Sequence, residues 1–412
     1  MSHQFDEVMR QPSRRRRLWM ALMMGSLASF GPFTIDMYLP AFPMLANDLY
    51  TSTSLVQLSL TACLLGLALG QLFIGPFSDI YGRRKPLLVG LVIYSIVSIM
   101  CAFVPSIWAF VALRFFQGIA GSAGIVISRA IVRDLYTGSE MTKFFSLLML
   151  VNGTAPILAP IAGGQLLRFT SWHGVFLVLS IFGFIMFVTV AIGLQETLPI
   201  ERRSTGGITG TISTFGKLIR TRTFIGYTLA QGLVFAAMFA YISGSPFVLQ
   251  SIYGLSPQGF SLFFAINGIG IIIATQITGR LSGRIPESKM LKFGLGLASV
   301  SSLSLFAMIL IGAGLIAILI PLFFVVSSVG VVSTTCFSLA MQNQERSAGS
   351  ASALLGLMSF IAGATVAPFV GIAGEHTPVP MGIAIAVCNV AAVLCYVFLV
   401  HRPKQMGHEL TV

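Results

Sequence analysis

Charge is what this chain has least of. Only 9% of its 412 residues are Asp, Glu, Lys or Arg, too few to cover the surface of a soluble protein of that length. Acid is scarcer still, with 13 carboxylates against 25 basic side chains and a formal net charge of +12. The five cysteines (Cys63, Cys101, Cys336, Cys388, Cys395) fall in apolar segments without CxxC spacing, so they read as small buried hydrophobes and argue against a disulfide framework or a metal site. Five histidines are scattered at segment ends, no HExxH occurs, and no metal is expected. No Walker A or other phosphate-cradling loop is present, so nothing in the chain points to direct use of ATP. No clustered nucleophile or acid–base pair is found either, which argues against an intramembrane enzyme.

Apolar residues fill the space that charge leaves. They make up 55% of the chain, and mean hydropathy is +0.89. Runs of about 18 residues or more recur along the whole length, each long enough to cross about 30 Å of hydrocarbon as a helix. The predicted spans lie near 18–40, 55–77, 87–104, 107–131, 144–168, 174–194, 223–248, 258–282, 290–312, 314–341, 350–374 and 380–401. The fold class is therefore all-α and membrane-embedded, with about twelve transmembrane helices.

The basic residues sit between the runs and are not interleaved with exposed aromatics, so they read as topogenic and no nucleic-acid partner is expected. The loop residues Arg83, Arg84, Lys85, Arg133, Lys143, Arg202, Arg203, Lys217, Arg220, Arg222, Arg280, Arg284, Lys289, Lys292, Arg346, Arg402 and Lys404 fall in alternate connections, while the opposite loops hold only Arg168. With Arg14-Arg15-Arg16-Arg17 acting as a start-in anchor, this bias predicts that both termini are cytoplasmic. The expected organisation is a basic N-terminus (1–17), a first six-helix bundle (18–194), a linker (195–222) with a short interfacial helix, a second bundle (223–401) and a tail (402–412).

The two halves repeat. Residues 75–91 align without gaps to 279–295 at an offset of 279 − 75 = 204, matching Gly75/Gly279, Ser78/Ser282, Lys85/Lys289, Gly90/Gly294 and Leu91/Leu295. Ala159-Pro160 is echoed by Ala367-Pro368, and Pro40 by Pro246. Parallel six-plus-six repeats with a site at their interface are an architecture of secondary transporters.

Acidic chemistry is confined to the first half. Asp36, in Thr34-Ile35-Asp36-Met37-Tyr38-Leu39-Pro40, is the one carboxylate well inside an apolar run. An ionised group there costs at least about 2.5–3.5 kcal/mol, so it is expected to face a cavity or a partner. Arg114, about seven residues into span four, lies at similar depth and is expected to pair with it. Arg114, Gln117, Gly118 and Gly121 share one helical face. Burial opposes the charged carboxylate and a nearby guanidinium supports it. Changing their separation would then switch Asp36 between proton uptake and release.

At GPFSDIYGRRKP (75–86) the sequence resembles the loop 2–3 signature of the major facilitator superfamily, through Gly75, Asp79, Gly82, Arg83, Arg84 and Lys85. LRFFQGIAGSAG (113–124) resembles its span-four signature. LAPIAGG (158–164) is similar to the antiporter signature of span five, with Ala159 where glycine is commoner. IDMYLPAFP (35–43) is similar to span one of the Bcr/CflA subgroup of proton-driven drug exporters.

The resemblance implies two pseudo-symmetric six-helix bundles, a multi-pass protein of the bacterial inner membrane, no cofactor beyond a proton gradient, and export of amphipathic drugs. An exporter of an endogenous metabolite shares every motif. A transport-like sensor would usually add a signalling domain, for which 195–222 is too short. It further implies a conformational latch of Gly75, Asp79, Gly82, Arg83, Arg84, Asp134 and Arg346, with Asp79 favouring the N-terminus of span eleven. Pro156, Pro160, Gly163 and Gly164 form the kinked antiporter helix. Tyr38, Phe33, Gln117, Tyr241 and Phe247 are the candidate cavity residues. The bilayer and a small amphipathic substrate are the expected partners of a monomer.

Overall fold

The computed structural model describes residues 14–136, 138–203, 209–342, 348–372, 374 and 376–401. Among these, eleven helical stretches are long and apolar enough to cross a membrane. A further helix of 29 residues, Gly138–Leu166, lies between the fourth and fifth of them and brings the membrane-length helices to twelve. In order the spans are Leu18–Asp48, Thr53–Tyr81, Arg84–Ala102, Ile107–Leu135, Gly138–Leu166, Trp172–Gly193, Arg222–Ile252, Pro257–Leu281, Glu287–Leu310, Leu315–Met341, Ala348–Val370 and Val379–Val400. No strand is present among the described residues beyond one isolated bridge, Ser282 to Ile285.

Span one runs further than the sequence suggests. Pro40 lacks an amide hydrogen and reads as a stop, yet the chain crosses it in a short 3₁₀ turn (Leu39–Ala41) and resumes as a helix to Asp48. Trp172 at the start of span six holds that extension, its indole N–H donating to Asp48 Oδ2 at 2.9 Å. The repeat partner behaves similarly. Spans one and seven are both 31 residues long and start 222 − 18 = 204 residues apart. Span seven passes from α-helix to a π-helical segment, Phe247–Ile252, directly after Pro246. Irregular helix in the membrane is tolerated where protein surrounds it, and Tyr38, Leu39, Pro40, Pro246 and Phe247 are all buried.

Small residues set the closest helix pairs. A Cβ on Gly66 would lie 2.1 Å from the Phe115 carbonyl oxygen and one on Gly118 2.3 Å from that of Cys63, so spans two and four touch backbone to backbone. Between the halves, spans two and eleven and spans five and eight are the main neighbours. Among the described residues, the hydrogen bonds that cross between the halves gather away from the basic loops. Gln57 Nε2 donates to Ser243 O (3.1 Å), Ser261 Oγ to Pro160 O (2.7 Å) and Gln258 Nε2 to Gly164 O (2.7 Å).

The connection between the halves contains the expected helix, at Thr209–Arg220. It packs on spans seven and eleven with Phe215 and Leu218 buried, so its apolar residues meet protein as well as the bundle edge.

Candidate functional site

Asp36 closes the helical part of span one just before the turn at Met37-Tyr38, and only 5% of it is exposed. Span five fixes this turn. A Cβ on Gly163 would lie 1.9 Å from the Met37 carbonyl oxygen, so only glycine lets span five reach the break. At Gly164 a Cβ would meet the Ser261 hydroxyl of span eight at 2.4 Å, a side-chain atom that can turn away, and the Pro257 carbonyl oxygen at 3.1 Å. Pro156 and Pro160 lie inside the span-five helix, which continues through both, and Pro160 offers the carbonyl that Ser261 bonds. The glycine and proline run thus places span five between the Asp36 turn and the second half.

The expected Asp36–Arg114 ion pair is not present. Arg114 is fully buried and donates to Gln117 Oε1 and, at 2.8 Å, to the Thr34 carbonyl oxygen. Its guanidinium carbon lies 4.2 Å from the Tyr38 ring centroid and 5.5 Å from that of Phe176. The planar cation is held by one carbonyl, one amide and two ring faces, with its Nε left without a hydrogen-bond partner, and it braces span one two residues before Asp36.

The same network withdraws two expected cavity residues. Gln117 is fully buried, held between Arg114 and Ser98 Oγ (2.7 Å), and the Tyr38 hydroxyl faces Ser59 Oγ at 3.3 Å with its ring under Arg114. Both are packing residues in this conformation. Thr34 adds a hydrogen bond of 2.7 Å with Tyr94. Phe33 is half-buried against Phe182, and Phe247 packs on Phe42 with ring centroids 5.9 Å apart.

Tyr241 is buried in span seven, and its hydroxyl accepts from Asn267 Nδ2 of span eight at 2.9 Å. The turn just after Asp36 packs against spans five, seven and eight, and the carboxylate has no cation paired with it among the described residues.

At the basic end a second cluster forms. Arg83 is 3% exposed; its Nη1 bonds Asp79 Oδ1 and Ser78 Oγ, and its Nε donates to Asp134 Oδ2 at 2.8 Å. Burial opposes the guanidinium charge, but the two carboxylates outweigh it and raise the Arg83 pKa above its usual value. Glu196, which sequence reasoning passed over, accepts from the backbone N–H of Arg83 (2.8 Å) and Arg84 (3.2 Å) at the N-terminus of span three. Partial burial pushes its carboxyl upward, and four backbone donors, Arg83, Leu198, Arg84 and Thr197, more than reverse that and hold it below the usual range. Gly82 sits at φ +88°, and a Cβ there would lie 2.5 Å from Glu196 Oε2. Arg84 Nη2 reaches the Ala191 carbonyl at 2.6 Å. At Gly75 a Cβ would meet only Val126, at an ordinary 3.6 Å, so the backbone there does not require glycine.

Among the described residues Asp79 makes no ion pair with span eleven, and most of the start of that span lies outside them. Asp79 pairs within its own half, Arg346 lies outside the described residues, and a cavity of about 310 Å³ stands between Asp79 and the span-eleven residues Ser352, Ala353, Gly356 and Leu357. The second half carries the cluster with inverted polarity. Glu287 stands where Arg83 does (287 − 83 = 204) and Gln342 where Asp134 does (342 − 134 = 208). Gln342 Nε2 and Ser338 Oγ donate to Glu287 at 3.1 and 2.7 Å.

Comparison with known proteins agrees with this architecture. The family profile described as Major Facilitator Superfamily matches residues 18–368. An uncharacterized MFS-type transporter of Bacillus subtilis, YdgK, is 47% identical over 391 residues, covering 94% of this chain and 97% of that protein. The bicyclomycin resistance protein homolog of Haemophilus influenzae is 32% identical over 381 residues, covering 92% and 96%. A chloramphenicol resistance protein of Pseudomonas aeruginosa is 31% identical over 271 residues, covering 66% and 63%. Among solved structures, the xylose transporter XylE of E. coli in a partially occluded inward-open conformation superposes with a TM-score of 0.72 at 14% identity, covering 94% of this chain and 98% of that one, a likeness of fold alone.

Proposed function

This chain belongs to the Major Facilitator Superfamily, and from that premise we propose that it is a proton-coupled antiporter exporting amphipathic drugs or antibiotics across a bacterial inner membrane. Membership makes it a multi-pass membrane transporter and not an enzyme. Its relatives named for bicyclomycin, chloramphenicol and multidrug resistance support drugs as the cargo. The positive-inside bias supports cytoplasmic termini and assigns the basic end to the cytoplasm.

One observation carries the reading. Asp36 is buried at a helix break where spans one, seven and eight meet, and no cation is paired with it among the described residues. An ionised carboxylate in such surroundings costs several kcal/mol, and protonation removes that cost. A carrier that turns this position alternately to each side would load a proton from outside and release it to the cytoplasm. Each elementary charge moved contributes roughly 2.3 kcal/mol per 100 mV, enough with a pH gradient to drive a neutral solute uphill. Arg114 serves by fixing the span-one backbone that presents Asp36, through the Thr34 carbonyl.

Asp36→Asn removes the titrating group and leaves the packing nearly unchanged. It should abolish uncoupler-sensitive efflux of substrate from intact cells while retaining substrate binding to the purified protein. Export against a gradient by that variant, still collapsed by an uncoupler, places the proton site elsewhere.

A further inference from the structure

The cavity at the basic end holds more positive charge than the latch requires. Three arginines and one aspartate line it: Arg83, Arg129, Arg133 and Asp79. Arg83 is occupied by Asp79 and Asp134. Arg129 and Arg133 are one helical turn apart on span four, both are exposed, and neither has a hydrogen bond or ion pair among the described residues. Arg133 lies at the helix end, where a topogenic role accounts for it. Arg129 is one turn deeper, inside an apolar span that ends at Leu135. An arginine inside an apolar span turns to a cavity, a partner or the interface, and Arg129 lines the cavity. The remaining wall is mixed, with Leu72, Phe215 and Leu357 beside Gln71 and Ser352. At about 310 Å³ the cavity falls at the lower edge of the roughly 300–1,000 Å³ that drug-sized ligands occupy. It lies between spans two, four and eleven at the basic end, and span four places Arg129 about 22 Å from Arg114.

We propose that Arg129 and Arg133 form an anion-binding vestibule, which receives the carboxylate or phosphate group of an amphipathic substrate while the apolar wall holds its body. This deepens the export reading, on which it rests, by naming acidic amphiphiles as the substrate class. Two guanidiniums on one helical face suit a bidentate acid group, and Arg83 is already neutralised by its own carboxylates.

The test is binding of dansylglycine to the purified full-length protein in a neutral maltoside micelle, against its uncharged amide. The acid should bind at least tenfold more tightly than the amide, and the preference should shrink as salt rises. Arg129→Gln with Arg133→Gln should remove the preference while leaving amide binding unchanged, which also reports an intact fold; Arg129→Lys with Arg133→Lys should restore part of it. Equal affinity of wild type for acid and amide, or an undiminished preference in the double Gln variant, overturns the proposal. A second arm uses nanodiscs of phosphatidylcholine with and without phosphatidylglycerol. Retained dansylglycine binding in both supports a substrate vestibule. Loss of that binding only when phosphatidylglycerol is present, reversed in the double Gln variant, makes the pair a lipid headgroup seat and overturns it. No gradient is involved, so a negative result here leaves the Asp36 assignment standing, and failure of Asp36→Asn to uncouple leaves the vestibule standing.

Discussion

At the scale of single residues, Asp36 was legible because it is the one acid deep in an apolar run, and isolation is a property a sequence displays. Its relation to Arg114 was not legible. Two opposite charges at similar depth invite pairing, but beside Gln117, one turn on along the same face, the partners Arg114 takes are a backbone carbonyl and two ring faces, which leave no mark on sequence. Arg129 was lost for the opposite reason. It falls inside the predicted fourth span near the basic cluster below it, and only the cavity distinguishes it from topogenic charge. Gly163 gives a sharp test of how the site is held. Its absent side chain admits the Met37 carbonyl, whereas at Gly153 on the same helix a Cβ would meet only Ile272, 3.8 Å away. Gly163→Ala forces backbone to move and should destabilise the protein by about 1–3 kcal/mol, with transport reduced as the Asp36 turn shifts. Gly153→Ala should be neutral in both thermal melting and efflux. Equal tolerance at the two positions would show that span five does not position the turn.

At the scale of elements, most helices and their order followed from hydropathy and charge, because twenty apolar residues bounded by basic loops have few other uses. The breaks were harder. Pro40 marks irregular backbone, but whether the chain ends or crosses it depends on Trp172 and Asp48, which are distant in sequence. The turn between spans two and three shows the same limit. Arg83 and Asp134, both members of the implied latch, pair with each other, while Glu196 joins from beyond span six and ties the linker to the start of span three. Because the folded protein holds the Glu196 carboxyl below its usual range, the tie contributes fully above the ordinary glutamate pKa and is lost as pH falls through the lower folded value. Across neutral pH it is therefore constant. Glu196→Gln keeps the shape but removes the charge, and should cost on the order of 1 kcal/mol after solvent screening. Melting curves of wild type and variant should differ at pH 7 and converge in acid. A gap that persists below the folded pKa would assign the effect to packing. Asp79→Asn, by loosening Arg83, should slow turnover without weakening substrate binding, and unchanged transport would reduce the cluster to a topogenic turn.

At the scale of the whole molecule, the two halves are joined at one end and separated at the other. The crossing hydrogen bonds, Gln57 to Ser243, Ser261 to Pro160 and Gln258 to Gly164, lie at the end away from the basic loops. At the basic end the cavity stands between Asp79 and span eleven, and among the described residues the cluster that the motif implies would latch the halves pairs within the first half. Repeats in the sequence implied two similar halves, but not which end is shut, since one set of residues must serve both arrangements. Alternating access requires the closed end to part. Gly164 and Ser261 face each other across it, and a Cβ on Gly164 would lie 3.2 Å from the Ser261 Cβ, near the separation of about 3.5–4.5 Å that a disulfide spans. In a background with the five native cysteines replaced, Gly164→Cys with Ser261→Cys should cross-link on mild oxidation. The oxidised protein should lose efflux by at least tenfold, and reduction should recover it to the level of the unoxidised pair. Dansylglycine should still bind the oxidised form, because the vestibule opens at the other end. Undiminished efflux by a fully cross-linked population would mean that spans five and eight stay together throughout the cycle, and the closing of this end would then have to be carried by spans two and eleven instead.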